Sequence, residues 1–331
     1  MARSIQIIIK KITGIVLFII IIISLVSCTK YNSKAPDYKK IEIEDKQQTK
    51  VINADMGIAD FYSSDLVVIP TEEYSYDENI TASSSLFVNI TDNEFIFADS
   101  IYQKMYPASI TKIITALVVL EQGNLDDIVI ISRNACSIYE DGAKLCGFAE
   151  GDEIDLRSLL NVFLIYSGND AGIALAEHIS GSEEKFAKEM NKTAKRLGAV
   201  HSNFVNSHGL HHDSHYTTAY DLYLIFKELL NHDEFVSIIN KSSVTISYIQ
   251  AEKKTKTHQY MNTNRYLLGR TDMPENISVI GGKTGTTQKA GSCLILYSLD
   301  SNEKEYISVI LQAESGDYLY DQMTYLLNMI K

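Results

Sequence analysis

Between Pro107 and Gly123 the chain carries apolar residues on nearly every face of a helix: Ile110, Ile113, Ile114, Ala116, Leu117, Val118, Val119 and Leu120. A helix that is apolar all round is normally buried, so the rest of the chain must enclose it. Pro107-Ala108-Ser109 offers a start and Gly123 a stop, which predicts a helix running to about Gln122.

The surrounding segments suggest how the enclosure is built. Leu86-Phe87-Val88-Asn89-Ile90 and Glu94-Phe95-Ile96-Phe97 flank Thr91-Asp92-Asn93 and read as a β-hairpin. Asp155 to Tyr166 and Asp170 to Ile179 read as two helices broken at Ser167-Gly168-Asn169. Further helices are expected over Glu183 to Leu197, Thr218 to Leu230 and Asp317 to Lys331. Ser278-Val279-Ile280, Ser292 to Leu299 and Glu305 to Leu311 are strand-like, with β-branched and aromatic enrichment. Strands, then helices, then strands, then a helix predict an α+β domain. Its first and last segments would share one antiparallel sheet, with a helical insert between them.

The first 28 residues read as an address. Arg3, Lys10 and Lys11 precede an unbroken apolar run from Ile15 to Ile23, and Leu25-Val26-Ser27-Cys28 follows. A basic start, a short apolar stretch and small residues before a cut site describe a secretory signal. The run is short for a spanning helix, which needs about 20 residues. The ending resembles the lipobox of bacterial lipoproteins, which implies that Cys28 is lipidated and becomes the new N-terminus. The alternative is an uncleaved anchor helix with an incidental cysteine. Either places the remainder outside the membrane. Residues 28–75 are polar with little apolar periodicity and read as a tether. The division expected is therefore 1–27 signal peptide, 28–75 lipid-anchored tether and 76–331 catalytic domain.

The formal net charge of the 331 residues is −12, and loss of residues 1–27 removes only basic groups. An acidic surface argues against nucleic acid, whose binding rests on cationic contacts to phosphate. Cys28, Cys136, Cys146 and Cys293 are too few for a disulfide scaffold. A Cys136–Cys146 bridge and two independent thiols are both open readings.

Three short motifs carry chemistry. In Ser109-Ile110-Thr111-Lys112, positions three apart share a helix face, so Lys112 would sit over Ser109. A serine hydroxyl needs an adjacent base, and a desolvated lysine favours the neutral form that can act as one. Taken alone, this is more often a helix start with an exposed lysine. Ser167-Gly168-Asn169 places a hydroxyl and an amide on one loop; alone it is an interhelical turn. Lys283-Thr284-Gly285-Thr286 follows Gly281-Gly282 on a probable strand, where glycine lets a substrate backbone lie close. Alone it is a glycine-rich edge.

In this order, 58 residues separate the first two serines and 116 separate Ser167 from Lys283. Ser-x-x-Lys, Ser-x-Asn and Lys-Thr-Gly together mark penicillin-binding proteins and β-lactamases. The chain resembles the low-molecular-weight D-alanyl-D-alanine carboxypeptidases, peptidase family S11, over roughly residues 80–331. The resemblance rests on Tyr106-Pro107-Ala108-Ser109-Ile110-Thr111-Lys112, Ser167-Gly168-Asn169-Asp170-Ala171 and Asn206-Ser207-His208-Gly209-Leu210. It extends to His215-Tyr216-Thr217-Thr218-Ala219, Asn262-Thr263-Asn264-Arg265 and Lys283-Thr284-Gly285-Thr286-Thr287.

The resemblance implies a β-lactamase/transpeptidase-like fold: an antiparallel sheet flanked by helices, with a helical subdomain. It implies a penicillin-sensitive serine carboxypeptidase that removes the last D-alanine of peptidoglycan stem peptides. Ser109 would be the acylated nucleophile, Lys112 its base and Ser167 the proton relay. Asn169 would hold the substrate amide, and Lys283, Thr284 and Thr286, on one strand with Gly285, would bind the terminal carboxylate. Backbone N–H groups of Ser109 and Thr286 would form the oxyanion hole. No metal or cofactor is implied. The partners implied are a stem peptide ending in D-Ala-D-Ala and β-lactams as inhibitors, with the membrane reached through Cys28. Many family members carry a second, β-rich domain and an amphipathic C-terminal anchor; here the Cys28 lipid is expected to anchor instead.

Two competing readings remain. A β-lactamase with a glutamate-activated water would need a Glu-x-x-x-Asn spacing between Asn169 and Lys283, and none occurs. A non-catalytic wall-binding lipoprotein would not need all three motifs. Five of the eight histidines fall within 201–215, which with Asp213 suggests a metal site; the resemblance accounts for His208 and His215 without one.

Overall fold

The computed structural model describes residues 77–140 and 142–330. The readings made above on the signal peptide, Cys28 and the tether fall outside these residues. The hairpin is present as β1 (Ser84–Asn89) and β2 (Glu94–Asp99). A 3-10 turn, Ala108–Thr111, then runs into α1 (Lys112–Gln122). Two short strands, β3 (Ile128–Ile130) and β4 (Glu153–Asp155), precede five helices. These are α2 (Leu156–Ile165), α3 (Asn169–Ser180), α4 (Glu183–Arg196), α5 (Ala219–Leu229) and α6 (Asp233–Ile239). A second hairpin, β5 (Ser243–Ile249) and β6 (Thr255–Met261), follows. The chain then forms β7 (Ile277–Thr287), β8 (Gly291–Asp300), β9 (Glu305–Ala313) and α7 (Gly316–Leu327).

The main sheet has the order β2-β1-β9-β8-β7, antiparallel throughout. The first strand pairs with the last, Ser84 opposite Leu311 and Asn89 opposite Tyr306. Side chains alternate across its strands, and both faces are covered. Leu86, Val88, Ile295 and Val309 enter the core shared with α1, whereas Phe87, Leu294, Leu296 and Ile310 enter a second core beneath α7. That double burial explains why β1 reads as a nearly continuous apolar run.

α1 lies inside the helical layer, with Ile113, Ile114, Leu117, Val118 and Val119 all fully buried. It ends at Gly123, where the backbone turns extended (φ −94°, ψ 153°) in a place with no room for a side chain. An added Cβ would lie 2.8 Å from Ile179 Cδ1 and 2.9 Å from Leu156 Cδ2. Asp155, Thr218 and Ser315 cap α2, α5 and α7, each side chain accepting from a backbone N–H of the first turn.

Three features differ from the sequence reading. The start of the buried helix is a 3-10 turn, not α-helix. α6 and a second sheet, β3-β4-β5-β6, were not anticipated. β3 and β4 have three residues each, and β6 buries only Tyr260 of its seven, so neither shows a regular hydrophobic period. Asn169 belongs to the first turn of α3, not to the preceding loop.

Candidate active site

The turn that carries Ser109 is strained and held from behind. Ala108 has φ 47°, a left-handed conformation that a residue with a Cβ rarely adopts. Its carbonyl oxygen accepts from Thr111 Oγ1 at 2.8 Å, and Thr111 Oγ1 lies 2.7 Å from His215 Nε2. The backbone N–H of Val205 donates to His215 Nδ1 at 3.1 Å. Nδ1 is therefore the acceptor nitrogen, so Nε2 carries the hydrogen and donates it to Thr111, whose own hydrogen goes to Ala108. Burial holds the His215 pKa down to about 3, which keeps the ring neutral.

In a 3-10 turn, residues three apart eclipse, and Lys112 stands directly over Ser109. Lys112 Nζ is 3.1 Å from Ser109 Oγ, 2.7 Å from Asn169 Oδ1 and 2.6 Å from the carbonyl oxygen of His208. The side chain is fully buried. Its pKa is held well below the ordinary lysine value, first by burial and then by the nearby Lys283. A neutral amine has two hydrogens and one lone pair. Two fixed acceptors take the hydrogens, which leaves the lone pair facing the Ser109 hydroxyl.

Ser167 has φ 73° and is 6% exposed, another strained backbone at a buried polar residue. The loop of Cys146 and Gly147 is clamped beside it by Asp170, which accepts from both backbone N–H groups at 2.9 Å each. Asn169 N–H donates to the carbonyl oxygen of Lys144 at 2.7 Å. Gly168 leaves room for the thiol of Cys146, which would lie 2.2 Å from an added Cβ. Cys136 and Cys146 are both free thiols.

β7 forms the opposite wall. Gly285 lies against the Ser109 turn, where an added Cβ would be 2.9 Å from Ser109 N and 3.0 Å from Ile110 N. Strand alternation then separates the motif's polar groups. Thr284 and Thr286 line the cleft, with Thr284 Oγ1 2.6 Å from Thr263 Oγ1. Lys283 is 1% exposed, its Nζ donates to the carbonyl oxygen of Thr284 at 2.9 Å, and burial lowers its pKa to about 7.

Ser109, Ser167, Asn169, Thr284, Gly285 and Thr286 thus surround one cleft of about 520 Å³, with Lys112 and Lys283 buried behind its walls. Lys283 therefore does not share the cleft surface with the two threonines. Sequence reading did not single out Thr111, Lys144 or Arg265 as site residues. The spacing of Thr111, two residues after Ser109, carries no signal without its partner 104 residues away. Lys144 and Arg265 also line the cleft. The histidines of 201–215 do not converge: His208 meets Glu183 at 3.2 Å, His211 meets Asp213, and His215 meets Thr111. Among the described residues, the group able to hold a metal ion is Glu121, Glu228 and His232, away from the cleft.

The family model described as Peptidase S11, D-alanyl-D-alanine carboxypeptidase, matches residues 71–315. The D-alanyl-D-alanine carboxypeptidase DacF of Bacillus subtilis is 32% identical over 252 residues, 75% of this chain and 61% of that protein. DacD of Escherichia coli is 30% identical over 246 residues, 72% of this chain and 60% of that protein. The chain thus spans about three-fifths of the length of these curated relatives. The crystal structure of the Streptomyces K15 DD-transpeptidase superposes with a TM-score of 0.70 at 25% identity, over 76% of this chain and 97% of that one.

Proposed function

Because the chain belongs to the D-alanyl-D-alanine carboxypeptidase family, peptidase S11, we propose that it is a penicillin-sensitive serine carboxypeptidase acting on stem peptides that end in D-Ala-D-Ala. The observation that carries the reading is Lys112 Nζ, fully buried and 3.1 Å from Ser109 Oγ with its other acceptors fixed.

Lys112 takes the Ser109 proton as Oγ attacks the carbonyl carbon of the penultimate D-alanine. The developing oxyanion is met by the backbone N–H groups of Ser109 and Thr286, on either side of the Gly285 contact. The proton passes through Ser167 to the departing amine, the C–N bond breaks, and D-alanine leaves. Asn169 Oδ1 already accepts from Lys112, so its amide Nδ2 is the group free to donate to the substrate. Thr284 and Thr286 donate to the terminal carboxylate. Lys283, buried beside the cleft, disfavours protonation of Lys112. Water then hydrolyses the ester and returns the proton to Lys112. An amine in place of water would give transpeptidation, the activity for which the Streptomyces K15 neighbour is named.

Incubation with a stem pentapeptide and measurement of released D-alanine tests the activity. Labelled penicillin followed by peptide mapping tests the nucleophile. Labelling that survives Ser109→Ala would refute the assignment.

We also propose that Cys28 carries a diacylglyceryl anchor that holds the enzyme outside the bacterial membrane. Leu25-Val26-Ser27-Cys28 after a short apolar run supports this. Two acyl chains suffice for stable attachment where one is marginal. Among the described residues, no helix is long and apolar enough to cross a membrane.

A further inference from the structure

The basic groups of the cleft are not equivalent. Lys112 and Lys283 are buried and bonded to fixed acceptors. Arg265 lines the cleft beside Thr263 and Thr284, but Asp317 already accepts from it at 2.6 Å. Lys144 lines the opposite wall, and among the described residues no carboxylate lies within ion-pair distance of it. Burial lowers the Lys144 pKa from the ordinary lysine value, and the nearby Cys146 thiol is itself kept protonated by burial.

Lys144 is also held in place. Its Nζ stands 4.1 Å from the centre of the Tyr166 ring, and Tyr166 packs against Tyr260 at 5.0 Å. Its carbonyl oxygen accepts from Asn169 N–H, which ties this loop to the second motif. A partly desolvated cation fixed on an aromatic face interacts more strongly with an anion than a mobile surface lysine does. The chain as a whole carries −12, so an anionic substrate meets general repulsion that only a local cation can offset.

We propose that the Lys144 ammonium is a second anion-binding point in the cleft, selecting acyl-donor peptides that carry a side-chain carboxylate upstream of D-Ala-D-Ala. This rests on the carboxypeptidase reading. The terminal carboxylate lies with Thr284 and Thr286 on the β7 wall, and the donor strand leaves along the wall of Ser167, Asn169 and Lys144. The carboxylate could stand on the residue next to D-Ala-D-Ala or one residue further out, and both positions present the same chemistry.

The test uses two matched pairs of donors and reads kcat/KM from released D-alanine. One pair is acetyl-X-D-Ala-D-Ala with X as L-2-aminoadipate or its side-chain amide. The other carries glutamate or glutamine one residue further from the scissile bond. The acidic member of one pair should be preferred by about two- to fivefold, the upper range for a partly exposed ion pair. Lys144→Gln should bring that ratio to about one, Lys144→Arg should retain it, and Lys144→Glu should invert it. A wild-type ratio near one in both pairs, or a preference that survives Lys144→Gln, would overturn the proposal. Penicillin labelling of Ser109 separates the two readings. Labelling with turnover but no acid preference removes only the role of Lys144; no labelling and no turnover of any donor removes the carboxypeptidase reading and this one with it.

Discussion

Gly209 lies so close to Ala108 that an added Cβ would stand 1.9 Å from the Ala108 carbonyl oxygen. Gly209 also has φ 89°. Gly209→Ala should therefore cost about 1–2 kcal/mol for the left-handed backbone alone, with the clash in addition. The shift falls on the residue before Ser109, and displacement of a nucleophile by about 1 Å costs on the order of 100-fold in rate. The expected outcome is a lower melting temperature together with a loss of penicillin acylation of that order. Unchanged acylation would show that Ala108 does not set the position of Ser109.

Asn169→Asp is nearly isosteric and places a carboxylate 2.7 Å from Lys112 Nζ. An adjacent negative charge favours the protonated lysine, so the base is lost near neutral pH. Acylation at pH 7 should fall by about 100-fold or more and recover in part as pH rises. A flat loss across the pH range would mean that Asn169 acts on the substrate alone.

His215 is neutral in the fold, with its pKa near 3, against an ordinary value of 6.5. Below 6.5 the unfolded chain binds a proton that the folded chain does not. The associated stability is complete above about 6.5 and is lost as pH falls towards 3. His215→Gln should flatten the fall in melting temperature between pH 7 and pH 4. A slope equal to that of the wild type would place acid sensitivity elsewhere.

Lys283 follows the same sign at higher pH. Its folded pKa of about 7 lies below the ordinary 10.5. Stability is complete above the unfolded value and declines as pH falls to about 7. Lys283→Met should raise stability by about 1 kcal/mol or more at pH 6 and by less at pH 9, while lowering kcat/KM for D-Ala-D-Ala peptides. If the variant is less stable at pH 6, the burial cost has been misassigned.

Cys28→Ser should block lipidation and leave a precursor held by its apolar segment. Replacing residues 1–28 with an ordinary cleavable signal should release an active soluble enzyme. Membrane sedimentation of that soluble form would indicate a second anchor.

Local order was written in the sequence. The apolar run of 110–120, the stop at Gly123, the first hairpin and the α+β order follow from periodicity and turn chemistry, which act over a few residues. The three motifs placed six residues around one cleft for the same reason, since each motif fixes its own local geometry. Tertiary structure decided what those groups can do. Strand alternation put Lys283 on one face and Thr284 on the other, but only packing showed which face is solvent and which is core. The hydrogen of Thr111 is directed by His215, far along the chain. Lys112 is disposed to be neutral because Asn169, the His208 carbonyl and the surrounding core remove it from water without a carboxylate in contact with it. Desolvation belongs to the assembled enclosure, and no spacing of residues along one element encodes it.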